Sequence, residues 1–223
     1  MLAPMQGVTN RAVRGYFIDT VRPDVVFTEF VRVAGHSRKR VARSDLREIG
    51  AGDEVPLVVQ LIGHSRTSLV EAAQIAAAAG ARHLNLNLGC PYGRMTTGLT
   101  GGALLQQPAL LAELIPALRD ACRGSFSLKL RAGYDNHDDA LALLPLCEAV
   151  GVDFLILHPR TVLQEYRGQA DHRVTAAMVR ATRLPVIANG DLRSAGQGKQ
   201  LLEESGAAQA GEEERVGQGA APE

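Results

Sequence analysis

Short apolar runs that end in a polar or ionisable residue recur along this chain, and stretches with helical patterning separate them. Runs at 1–5, 25–31, 56–62, 84–88, 125–131, 153–158 and 185–189 predict strands. Side chains alternate between the faces of a strand, so Asn85 and Asn87 share one face while Leu84, Leu86 and Leu88 share the other. The pattern returns in Ser127-Leu-Lys-Leu-Arg131, with Lys129 and Arg131 on one face and Leu128 and Leu130 on the other. Gln60 interrupts an apolar run just before Gly63, His158 closes Phe154-Leu-Ile-Leu-His158, and Asn189 stands before Gly190-Asp191. Between these runs, Thr67 to Ala79 is alanine-rich and amphipathic. Pro108 to Cys122 presents Leu110, Leu111, Leu114, Ile115 and Leu118 at helical spacing. Pro108 suits a first turn, whereas Pro116 predicts a kink or an early end. A third helical pattern over 138–150 finishes at Gly151, a suitable C-terminal cap.

Strands and helices alternating at this length predict a parallel α/β fold. Polar groups at the ends of successive parallel strands are how a barrel enzyme assembles a site at one face. Seven β/α units are legible and a closed barrel needs eight. After a helical stretch ending near Ser205, the chain continues Gly206-Ala-Ala-Gln-Ala-Gly-Glu-Glu-Glu-Arg-Val-Gly-Gln-Gly-Ala-Ala-Pro-Glu223, with Val216 its one large apolar residue. The expectation is a TIM-type barrel domain over 1–205, incomplete by its eighth strand, and a disordered tail over 206–223.

Composition narrows the class without naming a partner. Hydrophobic residues make up 46% and charged residues 22% of 223, as in ordinary globular proteins. The formal net charge is zero, so global charge announces no polyanion. No apolar run is long enough to predict a membrane span, no secretory leader is evident, and a reducing cytoplasm is the expected setting. Cys90, Cys122 and Cys147 are widely spaced, without a CxxC pair or an HExxH, so no metal site is predicted. Cys122 and Cys147 lie in helical patterns and read as core thiols. Cys90 stands at the turn after Gly89, with Pro91 fixing the exit, and is the candidate reactive thiol. Arg32, Arg38, Lys39, Arg40, Arg43 and Arg47 form a basic run that suits either phosphate contact or a solvated helix face. Asp135-Asn-His-Asp-Asp139 reads as a polar loop leading into a helix.

In their order along the chain, Leu2-Ala-Pro-Met-Gln-Gly-Val-Thr9, Gln60, Leu86-Asn-Leu-Gly-Cys-Pro91, Gly101-Gly-Ala-Leu-Leu105, Lys129-Leu-Arg131, His158-Pro-Arg-Thr161 and Asn189-Gly-Asp191 resemble the motifs of the tRNA-dihydrouridine synthases. The resemblance spans about residues 2 to 205. Thr28-Glu-Phe-Val-Arg-Val33 is most similar to the bacterial branch acting at position 16 of the D loop. The family's barrel carries FMN and is followed by a helical tRNA-binding domain, which has no counterpart here. A C-terminally truncated member is expected, with its activity impaired.

The resemblance implies reduction of a uracil C5–C6 bond, with hydride from reduced FMN, a proton from an acid, and NADPH as the reductant. It implies Cys90 as the acid; a thiol is mostly protonated at neutral pH and donates well when held in place. It implies a flavin site from Pro4, Met5, Gln6, Gln60, Lys129, His158, Asn189, Gly190 and Asp191. Lys129 would favour the anionic reduced ring. Asn87 and Arg131 are implied as substrate-binding residues, tRNA as the partner, and the oligomeric state stays open. The alternatives are another FMN-barrel reductase acting on a small pyrimidine-like substrate, and a non-catalytic fragment.

Overall fold

The computed structural model describes residues 1–33, 35, 40–50, 54–92 and 99–211. Arg38 and Lys39 of the basic run, and the tail expected to be disordered from 212 onward, lie outside the described residues.

A parallel sheet forms the centre. Its strands are β1 (Val26–Phe27), β2 (Val31–Arg32), β3 (Leu57–Ile62), β4 (His83–Leu88), β5 (Ser125–Arg131), β6 (Phe154–His158), β7 (Val186–Asn189) and β8 (Gln209–Gly211). They pair in the order β1-β3-β4-β5-β6-β7-β8, with β2 also on β3. Helices α1 (Arg11–Val21), α2 (Arg43–Gly50), α3 (Arg66–Ala78), α4 (Pro108–Ala121), α5 (Leu144–Val150), α6 (His172–Ala181) and α7 (Ala195–Ser205) lie in the connections. Consecutive parallel strands need such crossovers, and the right-handed crossover stacks the helices on the outer face.

The helix starts are written in short polar side chains. Asn10 caps α1 by accepting from the Ala12 and Val13 amides, and Ser65, Asp171 and Ser194 do the same for α3, α6 and α7. Gly151 ends α5 in the left-handed region, φ 77°, as the sequence predicts. Pro116 does not end α4, which continues to Ala121. Leu111, Leu114, Ile115 and Leu118 keep that helix docked, each almost fully buried. At about 1.5–3 kcal/mol per buried side chain, their burial outweighs the roughly 3 kcal/mol that an interior proline costs.

The strands depart from expectation in three places. Only Leu2 of the first run bridges to the sheet, at Val26. The chain turns immediately afterwards, because the Met5 carbonyl accepts the Val8 and Thr9 amides and Pro4 has no N–H for a ladder. The 25–31 run divides into β1 and β2. Between them the Thr28 hydroxyl takes the Gln60 amide at 3.2 Å and so replaces a backbone acceptor in the ladder. The third departure lies within 206–223, where a disordered tail without an eighth strand was expected. Residues 209–211 form β8 in parallel register with β7, Ala188 opposite Ala210 and Asn189 opposite Gly211. A strand needs no large side chain when its backbone is paired and small residues fit the space, and here Ala207 packs with Ala188, Leu192 and Leu201.

The two faces of the sheet have different chemistry. The outer residues, among them Val59, Leu61, Leu84, Leu86, Leu128, Leu130, Leu155 and Leu157, join the helices in one apolar cluster. On the inner face, Phe27, Val58, Ile156 and Ile187 form an apolar floor. One or two residues further along the strands the inner positions turn polar: Gln60, Asn85, Asn87, Ser127, Lys129, Arg131, His158 and Asn189, all buried. The sequence alternation thus separates a greasy exterior from a polar upper interior.

Candidate active site at the carboxyl ends of the strands

The upper interior is a connected set of hydrogen bonds. Asn85 Nδ2 donates to Ser127 Oγ (2.8 Å), Gln60 Nε2 donates to Asn85 Oδ1 (2.7 Å), and Asn87 Nδ2 donates to Gln60 Oε1 (2.8 Å). Strand register makes this possible, since Gln60, Asn85 and Ser127 lie side by side on β3, β4 and β5. Asn87 Oδ1 in turn accepts the amides of Gly89 (3.0 Å) and Cys90 (2.9 Å), which folds the strand end into the turn that carries the thiol.

Cys90 is half-buried and is held from its other side by the Gly101-Gly102 pair. The Gly102 amide donates to the Cys90 carbonyl at 3.0 Å. A Cβ on Gly101 would stand 2.9 Å from the Cys90 Cβ, and one on Gly102 would stand 2.4 Å from Val162 Cγ2. Only glycine lets this segment lie against the cysteine, and Gly101 also has φ +60°. Cys122 and Cys147 are buried away from solvent, and desolvation pushes the Cys147 thiol up to about 12.

Lys129, Arg131 and Arg160 are buried around His158. Lys129 Nζ donates to Asn189 Oδ1 at 3.0 Å. Arg131 donates from Nε to the Gly89 carbonyl (2.8 Å) and from Nη1 to the Thr161 (3.0 Å) and Glu165 (2.5 Å) carbonyls. Its guanidinium lies over the Tyr166 ring, 5.2 Å from the centroid. Arg131 therefore ties the Cys90 turn to the loop after β6. Burial, then the charges of Arg131, Lys129 and Arg160, hold the His158 pKa well below its usual value, so the imidazole is neutral. Its Nδ1 accepts the Arg160 amide at 3.4 Å, which leaves the proton on Nε2.

The loop after β7 closes the far side. Gly190 has φ +111°, and a Cβ there would stand 2.9 Å from His158 Nε2. His172 Nε2 meets the Gly190 carbonyl at 3.0 Å. Asp191, itself left-handed at φ 57°, accepts from Arg160 Nη2 (2.5 Å) and from the Ala170 amide (2.7 Å). Arg160 also donates to the Arg167 and Gly168 carbonyls.

The expected site residues separate into groups. Cys90, Asn87, Gln60, Lys129, Arg131, His158, Asn189 and Gly190 all lie at the carboxyl ends of β3 to β7 or in the turns just beyond. Asp191 lies beside them with its carboxylate turned to Arg160. Asn87 and Arg131, expected to hold substrate, also shape the Cys90 turn: Asn87 accepts the Gly89 and Cys90 amides, and Arg131 donates to the Gly89 carbonyl. Pro4 is buried, Met5 packs beside Leu2, Ile18 and Val26, and the exposed Gln6 donates to Glu29 Oε2 at 2.9 Å. In the basic run Arg40 pairs with Glu71, Arg32 lies over the Phe30 ring, and Arg43 and Arg47 are exposed. Thr28, Asn85, Ser127, Arg160 and Tyr166 were not singled out as site residues. The shared face of Asn85 and Asn87 was a signal for the first of these amides; nothing local marks Tyr166. Lysine, neutral histidine and amide groups at one end of a barrel fit a flat, multiply hydrogen-bonding ring with anionic character. No helix among the described residues is long and apolar enough to cross a membrane.

The family profile described as dihydrouridine synthase (Dus) matches residues 1–211. A probable tRNA-dihydrouridine synthase of Rhodobacter capsulatus is 36% identical over 213 residues, covering 93% of this chain and 64% of that protein. A tRNA-dihydrouridine synthase B of Pseudomonas aeruginosa is 34% identical over 210 residues, covering 92% and 62%. The chain thus spans less than two thirds of the length of these relatives. Their names carry the letter B or no letter, and none states a tRNA position. Among solved structures, morphinone reductase superposes with a TM-score of 0.68 at 12% identity, over 95% of this chain and 80% of that one. The aldolase QR15 gives 0.64 at 13% identity, over 95% and 87%. Identities this low show the shared barrel architecture alone.

Proposed function

This chain belongs to the dihydrouridine synthase family, and on that premise we propose that it serves the flavin-dependent reduction of uridine to 5,6-dihydrouridine in tRNA. The observation that carries the proposal is the pairing of a half-buried Cys90, on a turn fixed by Asn87, Gly101 and Gly102, with the buried cations Lys129 and Arg131 at the same end of the sheet. An acid and a site of positive potential side by side are what reduction of an enone-like C5–C6 bond requires.

FMN, when bound, supplies the hydride that reaches C6. Lys129, held by Asn189, would stand by the ring and stabilise negative charge on it. Neutral His158 donates from Nε2, and Gln60 offers an edge of hydrogen-bonding groups. Gly190 lets the loop after β7 come close enough for its backbone amides to meet a polar tail. Pro4, Met5 and Gln6 contribute backbone near the mouth. Cys90 gives its Sγ proton to C5, and the resulting thiolate is reprotonated by solvent. Asn87 and Arg131 would act by holding the Cys90 turn, and the second Nδ2 hydrogen of Asn87 would serve the base. NADPH is the reductant, the setting is cytoplasmic, and tRNA is the partner.

The test is complementation. Dihydrouridine is measured in tRNA from a bacterial strain lacking its own synthases and carrying this chain or its Cys90→Ala form, with bound FMN followed by its visible absorbance. The expectation is that Cys90→Ala loses dihydrouridine by 100-fold or more, on the order of a general acid's contribution, and keeps its flavin affinity. Equal dihydrouridine from both proteins would remove Cys90 from the reaction.

A further inference from the structure

We propose that Asn85, buried in the barrel interior two residues before Asn87, is a positioning residue that fixes the Cys90 turn through a one-way relay of side-chain amides. The inference rests on Cys90 being the acid only for its catalytic consequence; the geometric claim stands by itself.

The polarity of the relay is forced from the Cys90 end. Backbone amides can only donate, so the Asn87 atom that meets the Gly89 and Cys90 amides is its oxygen. Asn87 must then present Nδ2 to Gln60, which accepts with Oε1. Gln60 must present Nε2 to Asn85, which accepts with Oδ1. Asn85 must present Nδ2 to Ser127 Oγ, and the hydroxyl completes the chain by donating to the Leu84 carbonyl at 3.5 Å. Each amide has two ends, and reversing any one of them would set donor against donor or acceptor against acceptor along the whole line. Gln60 is also pinned through its own amide to Thr28 Oγ1. Asn85 is 1% exposed and Gln60 0%, so water does not compete for these bonds.

Asn85 is therefore the acceptor that keeps the Gln60 carboxamide facing Asn87. Remove that acceptor and Gln60 Nε2 is buried without its partner, the carboxamide gains by rotating, and Asn87 loses the bond that orients its oxygen toward Cys90. The effect reaches the thiol without Asn85 touching cofactor or base.

Two substitutions separate positioning from plain stability. Asn85→Leu deletes the acceptor at similar volume. Asn85→Asp keeps an oxygen for Gln60 and lets the Ser127 hydroxyl donate to the new oxygen instead of to Leu84. Three readouts are taken on the folded protein: hydrogen exchange at the Gly89 and Cys90 amides, the rate of Cys90 alkylation by iodoacetamide with Cys122 and Cys147 as internal controls, and the kcat and KM of tRNA reduction. Asn85→Leu is expected to speed exchange at those two amides by at least tenfold, to change the Cys90 alkylation rate by severalfold with the control thiols unmoved, and to lower kcat more than it raises KM. Asn85→Asp is expected to return all three to within about twofold of the parent. Unchanged exchange and alkylation in Asn85→Leu, or an Asp variant as impaired as the Leu variant, would overturn the relay. If Asn85→Leu fails to fold, Gln60→Glu makes the same test, since it puts an acceptor where Asn85 needs a donor; unaltered Cys90 exchange there would also overturn the relay. Altered exchange with no catalytic change would leave the relay standing and count against Cys90 as the acid.

Discussion

His158 is one residue whose environment sets a measurable pH dependence. Burial and the charges of Arg131, Lys129 and Arg160 keep it neutral in the folded protein, while in the unfolded chain it titrates near its ordinary 6.5. Below that value the unfolded chain binds a proton that the folded chain refuses. The stabilisation is therefore complete above about pH 6.5 and is lost as the pH falls through that value, until the lower folded pKa is reached. The slope is at most about 1.4 kcal/mol per pH unit for a single proton. Urea unfolding between pH 7.5 and 5 should show the parent weakening toward acid and His158→Gln weakening less. Parallel curves would mean that another group dominates.

At the scale of elements, the loops after β6 and β7 are joined by Arg160 and Asp191. Arg160 is 1% exposed and Asp191 28%. Breaking a fully buried pair costs about 3–5 kcal/mol, and the partial exposure of Asp191 lowers the expectation for Asp191→Ala to about 1–3 kcal/mol. Asp191→Ala also frees the Ala170 amide, so the loss should exceed that of a surface pair. Adding Arg160→Met, which removes the stranded cation, should recover part of the stability in a double-mutant cycle; simple additivity would deny the coupling. This latch was invisible in the sequence, because its partners are 31 positions apart and each motif, His158-Pro-Arg-Thr161 and Asn189-Gly-Asp191, reads locally as a ligand loop. What was legible were the strands whose alternation is strong, β3 to β7, and the residues on their inner face. What was not legible depended on a partner strand or a distant acceptor. Thr28 divides β1 from β2 only because Gln60 is opposite it. Met5 turns the chain where an apolar run predicted a strand. Ala210 pairs in β8 although its neighbourhood carries no hydrophobic run. Asn87 and Arg131 were legible as polar residues on the inner face, but their bonds to the Gly89-Cys90 turn were not, because those depend on how the chain folds back after β4.

For the whole molecule, the sheet order predicts a gradient of stability. β4 and β5 are central, six and seven residues long, and are covered by α3 and α4 on the outer face and by the amide relay within. β8 has three residues and pairs with β7, its one partner strand among the described residues. Its packing rests on Ala207 and Ala210 against Ala188, Leu192, Leu201 and Leu202, a contact made of alanine methyl groups and three leucines. Short edge strands open first, because opening exposes little apolar surface and breaks few ladder bonds. Native-state hydrogen exchange should therefore rank the amides of β4 and β5 as the slowest and those of β8, with the two-residue β1 and β2 at the other edge, as the fastest of the strand amides. Ala207→Gly, by removing a methyl group from the small cluster, should speed exchange in β8 and leave β4 unchanged. Ala210→Gly should do the same. A C-terminal strand as slow as β4 would show that it is covered by more than β7, and the edge assigned to β8 would then be wrong.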